Sequence, residues 1–408
     1  MQGALPGQAA EASVVVAVAS SGEIAFRGPW VQTAAATDYT VQWRAVGLTA
    51  GTRYNVTILC RADSAAPVSA VAEGAFVTAP APSSAEPVRF CVLSCHEFPL
   101  RDAGLKGHRV YGSMSALNPH FAVHTGDIEY YDRPEPHALS EDLARFKWQR
   151  LFALPLQRKF YSYFGVYNQK DDHDVLRDDA EPGMMYGSLT YERGLALFDE
   201  EQFPRRPAGS PTYLTQRWGK HLQVWLLENR NYRYRAAGTV LGDEQKAWLK
   251  ETLPASNATF KIVITPTPVL GPDHDWKSDN LANGAPFHHE AWEVKKLLLL
   301  TNNIFVVSGD RHWQYASVDE RSIGSVWEFG TGAAADKHSA PAAGSNMQSD
   351  GVRRAFVRWK GGFLEVEISE TQASACHETA GDMCGAVEAR FTHRDVDGTA
   401  VHTKTFRA

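Results

Sequence analysis

Four apolar runs in this chain each close on residues able to hold a cation. Val88–Ser94 leads into Cys95-His96, Phe121–Thr125 into Gly126-Asp127, and Ile304–Ser308 into Gly309-Asp310-Arg311-His312. The fourth, Phe160–Tyr167, precedes the loop Asp171-Asp172-His173-Asp174. Short apolar runs bounded by turn residues read as buried strands. Helical stretches fall among them at Ser113–Leu117, Ser140–Phe152, Asp243–Glu251 and His289–Leu300, and Ser140-Glu141-Asp142 supplies an N-terminal cap. Further strands are expected at His221–Leu227 and Lys261–Thr265, with Gly362–Ile368 and Phe391–Phe406 closing the chain around the turn Asp397-Gly398. The pattern predicts an α/β fold, in which loops beyond the carboxyl ends of the strands converge on one crevice.

With 408 residues the chain has room for two or three cores. Residues 1–78 have a different texture, rich in Ala, Val, Thr and Ser. Strands are expected at Ser13–Val18, Tyr39–Trp43, Tyr54–Cys60 and Gly74–Thr78. The turn Val46–Thr52 feeds a strand through Tyr54, a pattern similar to a fibronectin type III β-sandwich, where a Tyr pins a corner. A spacer module is the reading for it. Residues 79–87 carry three prolines and read as a semi-extended linker. Residues 88–408 then form the larger, α/β part, with strands at its C-terminal end.

Composition excludes several classes. Hydrophobic residues at 44% and charged residues at 22% describe a globular chain. A formal charge of −6 gives no basic surface for nucleic acid. No apolar run reaches the ~18 residues of a membrane span. Five cysteines are too few for a disulfide scaffold, although Cys376 and Cys384 are close enough to pair. Met1–Ala4 shows neither the charged nor the apolar part of a signal peptide. The sequence sets no oligomeric state.

Each element of the apparent site has a plainer alternative. Cys95 fits a small core residue, Asp127 a turn, and His173 a structural or ligand histidine. Asp171–Asp174 is harder to explain plainly, because three carboxylates around one His repel one another unless solvated or neutralised. Asp310 and His312, two apart past a buried strand, can face one ion. Two further loops bear on the site. Gly271–Asn283 reads as a lid or substrate loop whose Asp279, Asn280 and Asn283 can reach it, with a solvated loop as the plainer alternative. Gly332–Ser349, rich in Ala, Gly and Ser, reads as a flexible border of the entrance.

In order, Ser94-Cys95, Gly126-Asp127-Ile128-Glu129-Tyr130, Asp171–Asp174, Leu227-Glu228-Asn229-Arg230-Asn231-Tyr232-Arg233, Leu241–Leu249 and Ser308–His312 resemble the motifs of PhoD-like alkaline phosphatases and phosphodiesterases. These belong to the calcineurin-like metallophosphoesterase superfamily, and the resemblance spans about residues 88 to 370. It implies a two-sheet αββα sandwich. It implies hydrolysis of phosphate esters by metal-activated hydroxide at a dinuclear or larger centre of Fe(3+) with Ca(2+), with Zn or Mn as the alternative metals. Cys95 and Tyr130 would bind iron, Asp127 would bridge, Asp172 would bind the second cation, and Asp310 and His312 would close the cluster. Asp172 rather than Asp171 follows from a pattern in which the residue before His is the ligand. A thiolate and a phenolate suit a trivalent ion, and carboxylates suit calcium.

His173 is the candidate general acid, and Arg230 and Arg311 are the candidate phosphate clamps. Arg233 reads as structural. Two positions depart from the pattern: Thr265-Pro266-Thr267-Pro268 where the superfamily has a ligand His, and Glu228 where the segment has Asp. The resemblance implies a periplasmic or extracellular enzyme acting on a small-molecule or polymeric phosphate ester. The alternatives are a specialised phosphotriesterase and an inactive binding or adhesion protein that works through its first domain.

Overall fold

A computed structural model describes residues 10–201, 210–274, 277–282, 285–339, 351–371 and 386–408. Cys376, Cys384, Asn283 and the end of the Ala/Gly/Ser-rich stretch lie outside the described residues.

The first unit is an antiparallel sheet in the order Ile24–Arg27, Glu11–Val18, Arg53–Arg61, Ser69–Val77, with Val31–Gln32 paired to the start of Glu11–Val18. Its apolar face holds Val14, Val16, Tyr54 and Ile58. The Tyr54 hydroxyl accepts the Thr49 N–H at 2.8 Å, so this Tyr pins the turn ahead of its own strand. The strand expected at Tyr39–Trp43 does not form. Asp38 and Tyr39 both have positive φ, 47° and 56°, which breaks an extended backbone. Trp43 instead lies against the sheet and donates its indole N–H to Pro29 O at 3.0 Å. Residues 79–87 are strapped down rather than free. Gly219 N–H donates to Pro80 O at 3.3 Å, and Lys220 N–H to Ser84 O at 2.6 Å.

Two sheets follow, stacked face to face. One runs Ala400–Arg407, Val387–Arg394, Phe363–Glu370, Val88–Leu93, Phe121–Thr125, Gly165–Gln169, and its last three strands are parallel. The other runs Leu214–Trp218, Leu222–Leu226, Phe260–Thr265, Ile304–Ser308, Gly324–Thr331, Gln314–Arg321, Val352–Arg358, with a parallel centre. Inner-face residues meet in one core. Phe90 stacks on Phe121 with centroids 4.7 Å apart, and Phe121 on Trp218 at 4.2 Å. Truncating such a ring to Ala costs about 3–5 kcal/mol.

Helices cover both outer faces. Gly242–Ala255 and His288–Leu299 bury Leu249, Leu253, Val294 and Leu298 against the second sheet. Arg109–Leu117 and Pro155–Tyr163 bury Val110, Met114 and Phe160 against the first. The result is the four-layer αββα arrangement. Ser140 caps Glu141–Phe152 as expected, accepting the Leu143 N–H. The run Phe160–Tyr167 divides between the helix Pro155–Tyr163 and the strand Gly165–Gln169. No helix among the described residues is long and apolar enough to cross a membrane.

The carboxyl ends of the two parallel segments come together because Gly309 permits it. A Cβ there would meet Thr125 Oγ1 at 2.3 Å and Ser94 Oγ at 2.6 Å, both from the opposite sheet. Only a residue without a side chain lets the sheets close at this edge.

Candidate metal centre

Three of the strand ends turn sharply. Cys95, Asp127 and Asp310 all have positive φ, at 54°, 55° and 61°. Such backbone is costly for residues with a Cβ, and here it swings each residue back over the end of its sheet. Gly126 packs against Asp171, leaving no room for a Cβ. The Asp174 carboxylate then fixes the turn. It accepts the backbone N–H groups of Asp127 and Ile128 at 2.7 Å, Glu129 at 2.8 Å and Asp171 at 2.9 Å. Burial pushes its pKa up to about 7, against those hydrogen bonds.

The turns bring donors together in three groups whose ligand atoms lie within 4.8 Å of one another. Cys95, Asp127 and His312 form one, Asp127, Asp172 and His173 the next, and Asp172, Asp179 and Asp279 the third. Asp127 is common to the first two, and Asp172 to the last two. Cys95 Sγ lies 3.5 Å from Asp127 Oδ2 and 3.7 Å from the Asp310 carbonyl oxygen. Tyr130 donates its hydroxyl to Asp127 Oδ2 at 3.0 Å and stands 3.4 Å from His312 Nε2. Burial raises the pKa of Cys95, Asp127 and Tyr130, and each is raised further by its anionic neighbours. Donors so desolvated and mutually repelling are stabilised as anions by a cation. Asp127 Oδ1 is buried with no hydrogen-bond partner among the described residues, as is Asp279 Oδ2. The sulfur, phenol, imidazole and carboxylate set fits a transition-metal ion beside a harder cation.

The second and third groups are laced with internal cations. Burial opposes ionisation of Asp172, but Arg230, His173 and Lys277 outweigh it and hold its pKa low. Arg230 is fully buried and donates its Nε–H to Asp171 Oδ1 at 2.6 Å, with Asp172 and Asp279 each 3.8 Å from Nη2. Asp171 still has its pKa pushed up to about 6, because burial outweighs Arg230. Arg311 reaches Asp273 at 3.2 Å and Asp279 at 3.9 Å, and pairs with Asp310. Lys277 Nζ lies 2.6 Å from Asp179 and 3.2 Å from Asp178. His173 donates its Nδ1–H to Asp132 Oδ1 at 2.7 Å. Burial disfavours its charged form, yet Asp127, Asp172 and Asp132 push its pKa up to about 10.

The sequence-derived residues therefore fall into two kinds. Cys95, Asp127, Tyr130, Asp172, His173 and His312 converge. Asp172, not Asp171, stands in the ligand groups. Asp310 approaches Cys95 through its carbonyl, while its carboxylate pairs with Arg311, and it stands in none of the three groups. Arg230 and Arg311 are enclosed by carboxylates rather than open to a phosphate. Arg233 is structural, donating to the Asp279 carbonyl and pairing with Glu181 at 3.2 Å.

The two departures also have a physical reading. Asn229 Nδ2 donates to Thr265 and Thr267 at 3.1 and 2.7 Å, so those threonines brace the turn that carries Arg230. Glu228 accepts the N–H groups of Arg230 and Asn231 at 2.9 and 2.7 Å and holds the same turn.

The border segment is not loose where it is described. Ala334 N–H donates to Cys95 O at 3.1 Å, and Ala333–Ala335 are buried. His338 Nδ1 lies 3.1 Å from the same carbonyl, with its ring 3.9 Å from that of His312. His338, Asp132 and Asp179 were absent from the sequence-derived site, and Asp174 entered it only as part of the acidic loop Asp171–Asp174. Asp174 and Asp179 sit in visibly acidic stretches, but His338 lies in a segment with no local signal.

The model of the PhoD-like phosphatases matches residues 200–375. Over that stretch, which is less than half of the chain, the sequence is similar to the PhoD-like phosphatases. Its fold matches the "Structure of PhoD" with a TM-score of 0.71 at 15% identity, over 99% of this chain and 84% of that one. It also matches the purple acid phosphatase PPD1 from yellow lupin (Lupinus luteus) seeds, with a TM-score of 0.66 at 13% identity, over 98% of this chain and 70% of that one. No curated protein matches the sequence. The PhoD-like segment contains Arg230, Asp279, Asp310 and His312, while Cys95, Asp127, Tyr130 and Asp172 precede it.

Proposed function

We propose that this PhoD-like protein hydrolyses phosphate mono- or diesters at a two-cation centre bridged by Asp127. The observation that carries this reading is that two donor groups of different chemistry share Asp127. Cys95, Tyr130 and His312 would hold a transition metal, iron in its trivalent state by donor chemistry. Asp127 and Asp172, with Asp179 and Asp279 adjoining Asp172, would hold a harder cation such as calcium. Cations bound there would supply Lewis-acid polarisation of the phosphoryl oxygens and lower the pKa of a nearby water.

The chain's own residues do the rest. Asp174 keeps the ligand turn rigid. His173, kept protonated by Asp132 and the surrounding acids, gives a proton to the leaving oxygen. Arg230 and Arg311 neutralise the carboxylates so that they can stay ionised in a buried site. Residues 1–78 act as a spacer, and a periplasmic or extracellular setting accords with the PhoD-like character.

Elemental analysis of the purified protein and a panel of mono-, di- and triesters test the reading. Stoichiometric iron or another transition metal, with turnover of mono- or diesters, is expected. Absence of any bound transition metal, or turnover of triesters alone, would overturn it.

A further inference from the structure

Negative charge crowds this site, and a phosphate ester brings more. Two obvious arginines cannot greet it. Arg230 is encircled by Asp171, Asp172 and Asp279, and Arg311 by Asp273, Asp279 and Asp310. Both are buried against those carboxylates, so an arriving oxyanion meets an exposed cation before either of them.

Arg133 differs on each count. It lies three residues beyond Tyr130 on the ligand loop, and its side chain is 42% exposed. Among the described residues its one ion-pair partner is Glu97, 3.4 Å from Nε. Burial raises the Glu97 pKa, against the pull of Arg133 itself. The guanidinium stands 6.0 Å from the centre of the Tyr130 ring, whose hydroxyl meets Asp127. Next to it, Asp132 holds the His173 ring.

The backbone beneath Arg133 is fixed. Its N–H donates to Tyr130 O at 3.2 Å, and the buried Lys147 ammonium donates to the carbonyls of Tyr130, Arg133 and Pro136. A rigid loop thus presents one half-exposed cation beside the residues that hold metal and proton.

We propose that Arg133 is the substrate-facing cation of this site, binding an oxyanion of the incoming ester. That oxyanion is either the reacting phosphoryl group or a second anionic group on the same substrate. The inference rests on the phosphoesterase reading.

The test uses the metal-loaded full chain and the variants Arg133→Met and Arg133→Lys. Orthophosphate binding is measured by titration calorimetry, and KM and kcat with 4-nitrophenyl phosphate and pyrophosphate. In R133M, orthophosphate affinity and KM should each worsen by about tenfold, the scale of one lost charge-assisted contact. The effect on kcat should be smaller, with metal content and melting temperature kept, and R133K should recover part of the loss. Worsening with all three ligands supports contact with the reacting group, and worsening with pyrophosphate alone supports the second group. Unchanged binding and KM, or a loss that tracks lost metal, overturns the inference. If the wild type turns over none of the esters, the phosphoesterase reading fails, and the calorimetry alone decides whether Arg133 binds an oxyanion.

Discussion

The two halves of the cluster neutralise buried negative charge in different ways. Around Cys95, Asp127, Tyr130 and His312 the neighbours are mostly anionic or neutral, with His173 the cation beside Asp127, and Asp127 Oδ1 has no partner among the described residues. Around Asp171, Asp172 and Asp279, Arg230, Arg311 and Lys277 are already in place. The first half needs a cation from outside to hold its donors as anions, whereas the second carries much of its compensation in the chain. A third solution appears away from the site. Glu201 is half-buried beside Asp38, and desolvation with that acid pushes its pKa up to about 9, so a proton does the neutralising.

The largest expected effect strikes the residue common to both halves. Asp127→Asn should cut kcat by at least about 10³-fold and lower the content of both cations, since it removes the bridge. Retained turnover would break the shared-ligand picture.

Next is the internally compensated half. Arg230→Gln leaves Asp171 buried without its partner, which should cost about 3–5 kcal/mol in a denaturant titration. A loss below about 1 kcal/mol would show that solvent or a cation, not Arg230, offsets Asp171.

The contrasting change is Cys95→Ser. It should lower transition-metal content and activity, while the metal-free protein keeps its denaturation midpoint within about 1 kcal/mol. A large stability loss without metal would instead make Cys95 a packing residue.

The last prediction tests neutralisation by a proton. In the wild type, the Glu201 contribution is fully present below its unfolded pKa of 4.5 and is lost as pH rises through about 9. Glu201→Gln has no proton to lose. Its melting temperature should therefore gain on that of the wild type between those two values, and the difference should be flat below them.

Much of this was legible in the chain. Val88–Leu93, Phe121–Thr125, Phe260–Thr265 and Ile304–Ser308 are apolar on both faces because sheets and helices cover them, and unbroken hydrophobic runs record that. Cys95, Asp127, Asp172 and His312 stand just beyond strands or in acidic loops, so order and type pointed to them. Trp43 was misread because β-rich composition does not reveal two successive positive-φ residues. That Arg230 and Arg311 lie beside Asp171 and Asp310 was not legible, because a guanidinium looks the same in sequence whether it faces a ligand or an aspartate.

The sequence by itself determined the layers, the ligand types and their order, since hydrophobic periodicity and residue chemistry are local properties. Only the tertiary structure decided which carboxylate faces a cation and which faces an arginine. That choice depends on through-space distances between segments far apart in the chain, fixed where Gly309 lets the two sheet edges meet.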